Sequence, residues 1–100
     1  MKILAIEKEL PGLTAADFQP YLKKEALKVL ELYQRGIISE IYFGKKEHNA
    51  IIIMECKNEE EALQILQDLP LVKNGLISFS VIELMPYNGF SRLKTDETVE

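Results

Sequence analysis

Side chains alternate along an extended chain, so residues two apart project from one face. Glu40 and Tyr42 stand in that relation in the run Ser39-Glu40-Ile41-Tyr42-Phe43. Together they would supply a base and a phenolic donor, the two groups that proton-transfer chemistry asks for. The other reading of the pair is an edge-strand contact between subunits. Glu7 closes the apolar run Ile3-Leu4-Ala5-Ile6. A carboxylate partly covered at a strand end has a pKa raised into the range useful to a base, and a solvated strand end is the alternative. Tyr33, His48 and Tyr87 are the candidate ligand-binding residues. Tyr33 would turn its hydroxyl into a pocket or pack in the core. His48 lies in the polar stretch Lys45-Lys46-Glu47, where a histidine is either an exposed loop residue or an acid–base group. Tyr87 and Arg92 in the tail would complete a partner's pocket if the tail crosses over.

The remaining reactive residue types carry less. Cys56 has no neighbour in sequence that would make it a thiolate. A single cysteine excludes an internal disulfide, and one cysteine with one histidine does not make an all-protein zinc site. Asn49 suits a turn, and Arg35 complements the negative end of a helix. No metal and no cofactor is expected.

These residues need elements to place them. One hundred residues make one domain with a modest core. A net charge of −4 offers no basic face for nucleic acid. No apolar run approaches a membrane span and no signal-peptide pattern opens the chain, so the cytoplasm is the expected compartment.

The pattern reads as strands at Lys2–Glu7, Ile38–Phe43, Ala50–Cys56 and Leu76–Leu84. One helix begins between Asp17 and Pro20 and ends at Gly36, and a second covers Asn58–Leu69, stopped by Pro70. The order βαββαβ predicts an α+β, ferredoxin-like fold with a four-stranded antiparallel sheet. Strands one and three are apolar throughout and should be central, whereas strands two and four carry more polar residues and should be edges. The ferredoxin-like order 4-1-3-2 makes the same division. Phe18, Leu22, Ala26, Val29, Leu30 and Tyr33 recur at helical spacing and predict the core face of the first helix. Thr14 with Asp17, and Asn58 with Glu61, have the spacing of capping boxes.

If both helices cover one sheet face, the other face keeps Leu, Ile and Met side chains that a monomer would expose. That predicts a homodimer closed sheet to sheet into an α+β barrel; assembly beyond a dimer stays open. The domain is expected over residues 1–86. The tail, 87–100, either packs on the partner subunit or is disordered.

The segment Gly36–Leu84 resembles the muconolactone isomerase family of the dimeric α+β barrel superfamily. The resemblance rests on Gly36, Glu40–Phe43, Asn49-Ala50, Asn58–Glu61 and the step Leu69-Pro70-Leu71. Glu40-Ile41-Tyr42-Phe43 and Pro86-Tyr87-Asn88-Gly89-Phe90 are similar to bacterial relatives of that family. The chain also departs from the family pattern. Ile6 and Tyr42 stand near the places of strand arginines, and Tyr87 near that of a histidine.

The resemblance implies a muconolactone isomerase-like homodimer that binds a small organic molecule, with cofactor-free proton-transfer isomerisation as the activity if it is an enzyme. Glu40 and Tyr42 would carry the chemistry, with Glu7 behind them. A non-catalytic ligand-binding or stress-associated dimer of the same fold is the alternative, favoured by the missing arginines. Cofactor-free monooxygenation, which other barrels of the superfamily perform, comes third.

Overall fold

The computed structural model describes residues 1–94. Its elements are β1 (Lys2–Glu9), α1 (Ala15–Phe18), α2 (Leu22–Gln34), β2 (Ile38–Phe43), β3 (Ala50–Glu55), α3 (Glu59–Gln67), α4 (Pro70–Lys73) and β4 (Ile77–Leu84). The four strands form one antiparallel sheet in the order β2-β3-β1-β4. The expected α+β arrangement is therefore present, with the apolar strands β1 and β3 at the centre.

The first helix is built in pieces. Thr14 N–H donates to the Asp17 carboxylate at 2.7 Å and starts α1. Pro20 falls in a 3-10 turn, Gln19–Tyr21, where its missing N–H costs little. α2 then runs to Gly36, whose φ of 76° is open to a residue without a side chain and ends the helix.

The second helical region departs from a single Asn58–Leu69 helix. α3 ends at Gln67, and Pro70, instead of only stopping a helix, opens the short α4. Leu69 before it is extended, as a residue preceding proline prefers.

Asn58 Oδ1 accepts from Glu61 N–H at 2.9 Å and caps α3. The Glu61 carboxylate accepts from Lys57 N–H at 3.2 Å, one residue before the position a capping box would use. The Glu83 carboxylate accepts from Glu59 N–H at 2.8 Å and ties the helix start to β4. Asn58→Ala removes the cap and should lower unfolding free energy by about 1 kcal/mol, read as a lower urea midpoint with unchanged slope.

Strand pairing sorts the side chains into two faces. Ile41, Ile52, Ala5 and Val81 form one row across the sheet, and Ile38, Met54, Ile3 and Glu83 the next. This face meets the helices. Ile3, Ala5, Ile52 and Met54 are buried against Leu32, Ala62, Leu66 and Leu69. Cys56 is buried in the same core, which raises its thiol pKa by desolvation and, secondarily, through the Glu61 carboxylate.

Across the opposite face run Glu40, Ile53, Leu4 and Ile82, then Tyr42, Ile51, Ile6 and Ser80. No element of the described chain covers it. Leu4, Ile6, Ile51 and Ile53 stay half-buried among their own neighbours, and Ile82 is exposed.

After β4 a projecting arm carries a 3-10 turn at Gly89–Lys94. Met85, Tyr87, Phe90 and Leu93 on it are all exposed. The molecule is 62 Å along its longest axis, with a radius of gyration of 17.5 Å where a compact domain of this length has about 13 Å. Residues 95–100 of the expected tail lie outside the described residues.

Candidate functional site

The predicted core face of the first helix is the main correction. Leu32 is its buried residue, whereas Leu22, Leu30 and Tyr33 are 44%, 48% and 53% exposed. α2 stands off from the sheet along this stripe, and the space between them is a cavity of about 1180 Å³. Leu22, Ala26, Val29, Leu30 and Tyr33 form its roof. Ile41, Phe43, Ala50, Ile52 and Phe79 form its floor, and Phe18, Leu71 and Ile77 lie along its lining. A large, mostly apolar concavity with few polar groups is the usual form of a small-molecule site.

Four glutamates line this space, Glu7, Glu9, Glu25 and Glu40, and of these Glu7 and Glu25 are half-buried. Glu7 lies on the helix-facing side of β1, opposite Phe79 of β4. Its Oε1 accepts from Ala50 N–H at 2.6 Å, where β3 begins. Glu7 is thus half-buried and hydrogen-bonded, not a solvated strand end.

Glu25 is the residue that the sequence reading missed. It sits on the cavity stripe of α2, three residues after Leu22 and four before Val29, half-buried. Its Oε1 accepts from Leu71 N–H at 2.9 Å. That N–H belongs to the first turn of α4, whose donors have no partner within the helix. The step Leu69-Pro70-Leu71 therefore presents the donor that holds Glu25 in place. Burial pushes the Glu25 carboxyl pKa up; the Leu71 hydrogen bond opposes the shift and the nearby Glu7 charge adds to it. The one available signal was an acid at a core-facing position of an otherwise apolar stripe.

Glu40 and Tyr42 are brought together but not with these carboxylates. Tyr42 Oη donates to Glu40 Oε1 at 2.7 Å, and that bond with the Glu40 charge raises the Tyr42 pKa. Both residues border the cavity along β2, but their strand partners are Ile53 and Ile51, which puts both side chains on the face away from the helices. Ile41 and Phe43, between and beside them, point into the cavity instead. A break in register between Ile38 and Glu40 sets this phase.

The other candidates divide. Tyr33 lines the cavity mouth, exposed rather than packed in the core. His48 also lines it; the residue has a φ of 55°, and its ring stacks on Phe43 with centroids 4.1 Å apart. Tyr87 stands on the projecting arm, edge-on to Phe90 at 4.9 Å, and does not reach the cavity of its own chain. Among the described residues no group of three or more His, Cys, Asp or Glu is placed to hold a metal ion, and no helix is long and apolar enough to cross a membrane.

No family model matches the chain, and no curated protein sequence matches it. Solved structures do. The fold superposes on that of muconolactone isomerase with a TM-score of 0.72 at 14% identity, over 100% of this chain and 99% of the other. It also superposes on 5-chloro-2-hydroxyhydroquinone dehydrochlorinase from Burkholderia phenoliruptrix AC1100, in complex with 2,5-dihydroxybenzoquinone. There the TM-score is 0.61 at 19% identity, over 89% of this chain and 98% of the other. The chain thus has the muconolactone isomerase-like α+β fold.

Proposed function

We propose that the chain is a muconolactone isomerase-like homodimer whose helix–sheet cavity binds a small organic molecule and moves a proton on it without a cofactor. The observation that carries this reading is Glu25. It is a half-buried acid in a mostly apolar cavity, and burial raises its pKa.

In the reaction that fits, the Glu25 carboxylate takes a proton from a carbon next to a carbonyl, leaving an enolate. The same carboxyl group then returns the proton to another carbon of the conjugated system, and the double bond moves. Oε1 is held by the Leu71 N–H, which leaves the second oxygen to carry the proton. Tyr33 and His48, both lining the cavity, are the donors available to the enolate oxygen. The two fold neighbours support the choice of substrate type, since their names give a lactone and a hydroxylated ring compound.

The uncovered apolar face around Ile53, Leu4, Ile51 and Ile6, which a second copy would bury sheet to sheet, supports the homodimer reading. The arm bearing Tyr87, Phe90 and Leu93 would then pack on the partner.

The test is proton exchange. An unsaturated lactone incubated with the protein in deuterium oxide should gain deuterium at the enolisable carbon faster than in buffer, followed by NMR. A ligand that binds and returns with no isotope incorporated would favour the non-catalytic binding dimer.

A further inference from the structure

The charge of the cavity lining constrains what can enter it. Glu7, Glu9, Glu25 and Glu40 line it, His48 is the one imidazole there, and none of the twelve Lys and Arg residues does. Those twelve all fall within the described residues. Recognition of a carboxylate ordinarily uses a cation or a convergent set of free N–H groups. The N–H groups of Ala50 and Leu71, which both line the cavity, are already engaged by Glu7 and Glu25.

An entering anion would meet negative charge in a mostly apolar cleft, where screening by water is less than in bulk. A neutral molecule pays no such cost. Its apolar body suits the Leu22, Val29, Phe43 and Phe79 surfaces, and a hydroxyl or enolisable C–H suits a carboxylate.

Resting on the reading that this cavity is the binding site, we propose that it selects uncharged carbonyl or phenolic molecules and turns away carboxylates. The anionic lactone acid named for the fold neighbour would then be a poor substrate here, and its uncharged esters better ones.

Muconolactone and its methyl ester are a matched pair for the test, differing by one charge. Binding of each is measured by calorimetry near neutral pH, with wild type and with Glu25→Gln. The ester should bind at least about tenfold more tightly than the acid. Glu25→Gln should narrow the gap by strengthening the acid alone. Should that variant not fold, Glu7→Gln serves the same purpose. Equal or tighter binding of the acid overturns the charge inference while leaving the cavity as the site, whatever cation compensates. Preference for the ester that Glu25→Gln and Glu7→Gln both leave unchanged also overturns it, because the discrimination then lies elsewhere. If neither compound binds at millimolar concentration, the binding-site reading itself fails and the inference with it.

Discussion

Glu25→Gln should reduce proton exchange on a bound lactone by about 10²- to 10⁴-fold, the usual worth of a positioned acid–base group. The substitution is nearly isosteric, and the amide oxygen can still accept from Leu71 N–H. The cavity therefore keeps its shape, and ligand binding should survive the loss of turnover.

The pH dependence has a definite sign. Burial raises the Glu25 pKa, so the base is charged only above that value, and activity should climb as pH rises through it. Stability should move the other way. A carboxyl whose folded pKa is raised above its unfolded value stabilises the fold most when protonated. That contribution is full below the unfolded pKa and is lost as pH rises through the folded pKa. Glu25→Gln should thus be as stable as wild type at neutral pH or more so, while being the less active form. Glu40→Gln and Tyr42→Phe should change the exchange rate far less, since both residues border the cavity along β2 but pair with Ile53 and Ile51 on the sheet face away from the helices. Loss of exchange in Glu40→Gln with full exchange in Glu25→Gln would reverse the assignment.

Ile53→Glu should keep the proposed homodimer from forming and leave a monomer. Ile53 is central in the uncovered row, between Glu40 of β2 and Leu4 of β1. In a monomer the new carboxylate stays half-wet and costs mainly repulsion from Glu40, a fraction of 1 kcal/mol to about 1 kcal/mol. Against a second sheet it would be an unpaired buried charge, costing about 3 kcal/mol or more, over about a hundredfold in dissociation constant. Ile53→Thr keeps the β-branched shape that suits a strand and should weaken the dimer less. Sedimentation velocity reads all three proteins, with circular dichroism confirming that each is folded. A wild type that sediments as a monomer at micromolar concentration would refute the assembly.

The fold was legible because several local signals agreed. The apolar runs Ile3–Ile6 and Ala50–Met54 could only be central strands, and Gly36 and Asn58 marked helix ends that the structure keeps. The site was less legible, for two physical reasons. Helical periodicity shows which residues share a face, not whether that face touches anything. The stripe Leu22–Tyr33 therefore read as core although it roofs a cavity, and the acid within it, Glu25, passed unnoticed. Strand alternation likewise shows that Glu40 and Tyr42 lie together but not on which side. One inserted residue decides that, and such an irregularity has no reliable signature in a run like Ile38-Ser39-Glu40.

The same irregularity bears on how far this chain can polymerise. β2 is an outer strand of the sheet, and an outer strand with a continuous row of unpaired N–H and C=O groups invites the strand of another molecule to add to it. Here the ladder is broken between Ile38 and Glu40, and Ser39 Oγ turns back to donate to the Ile53 carbonyl at 3.2 Å. An incoming strand would find its template interrupted near the start of β2 and a carboxylate next to the gap. Growth by edge addition, the route to fibrils, is disfavoured at this side. Copies can then meet face to face, a contact that is complete once two have joined.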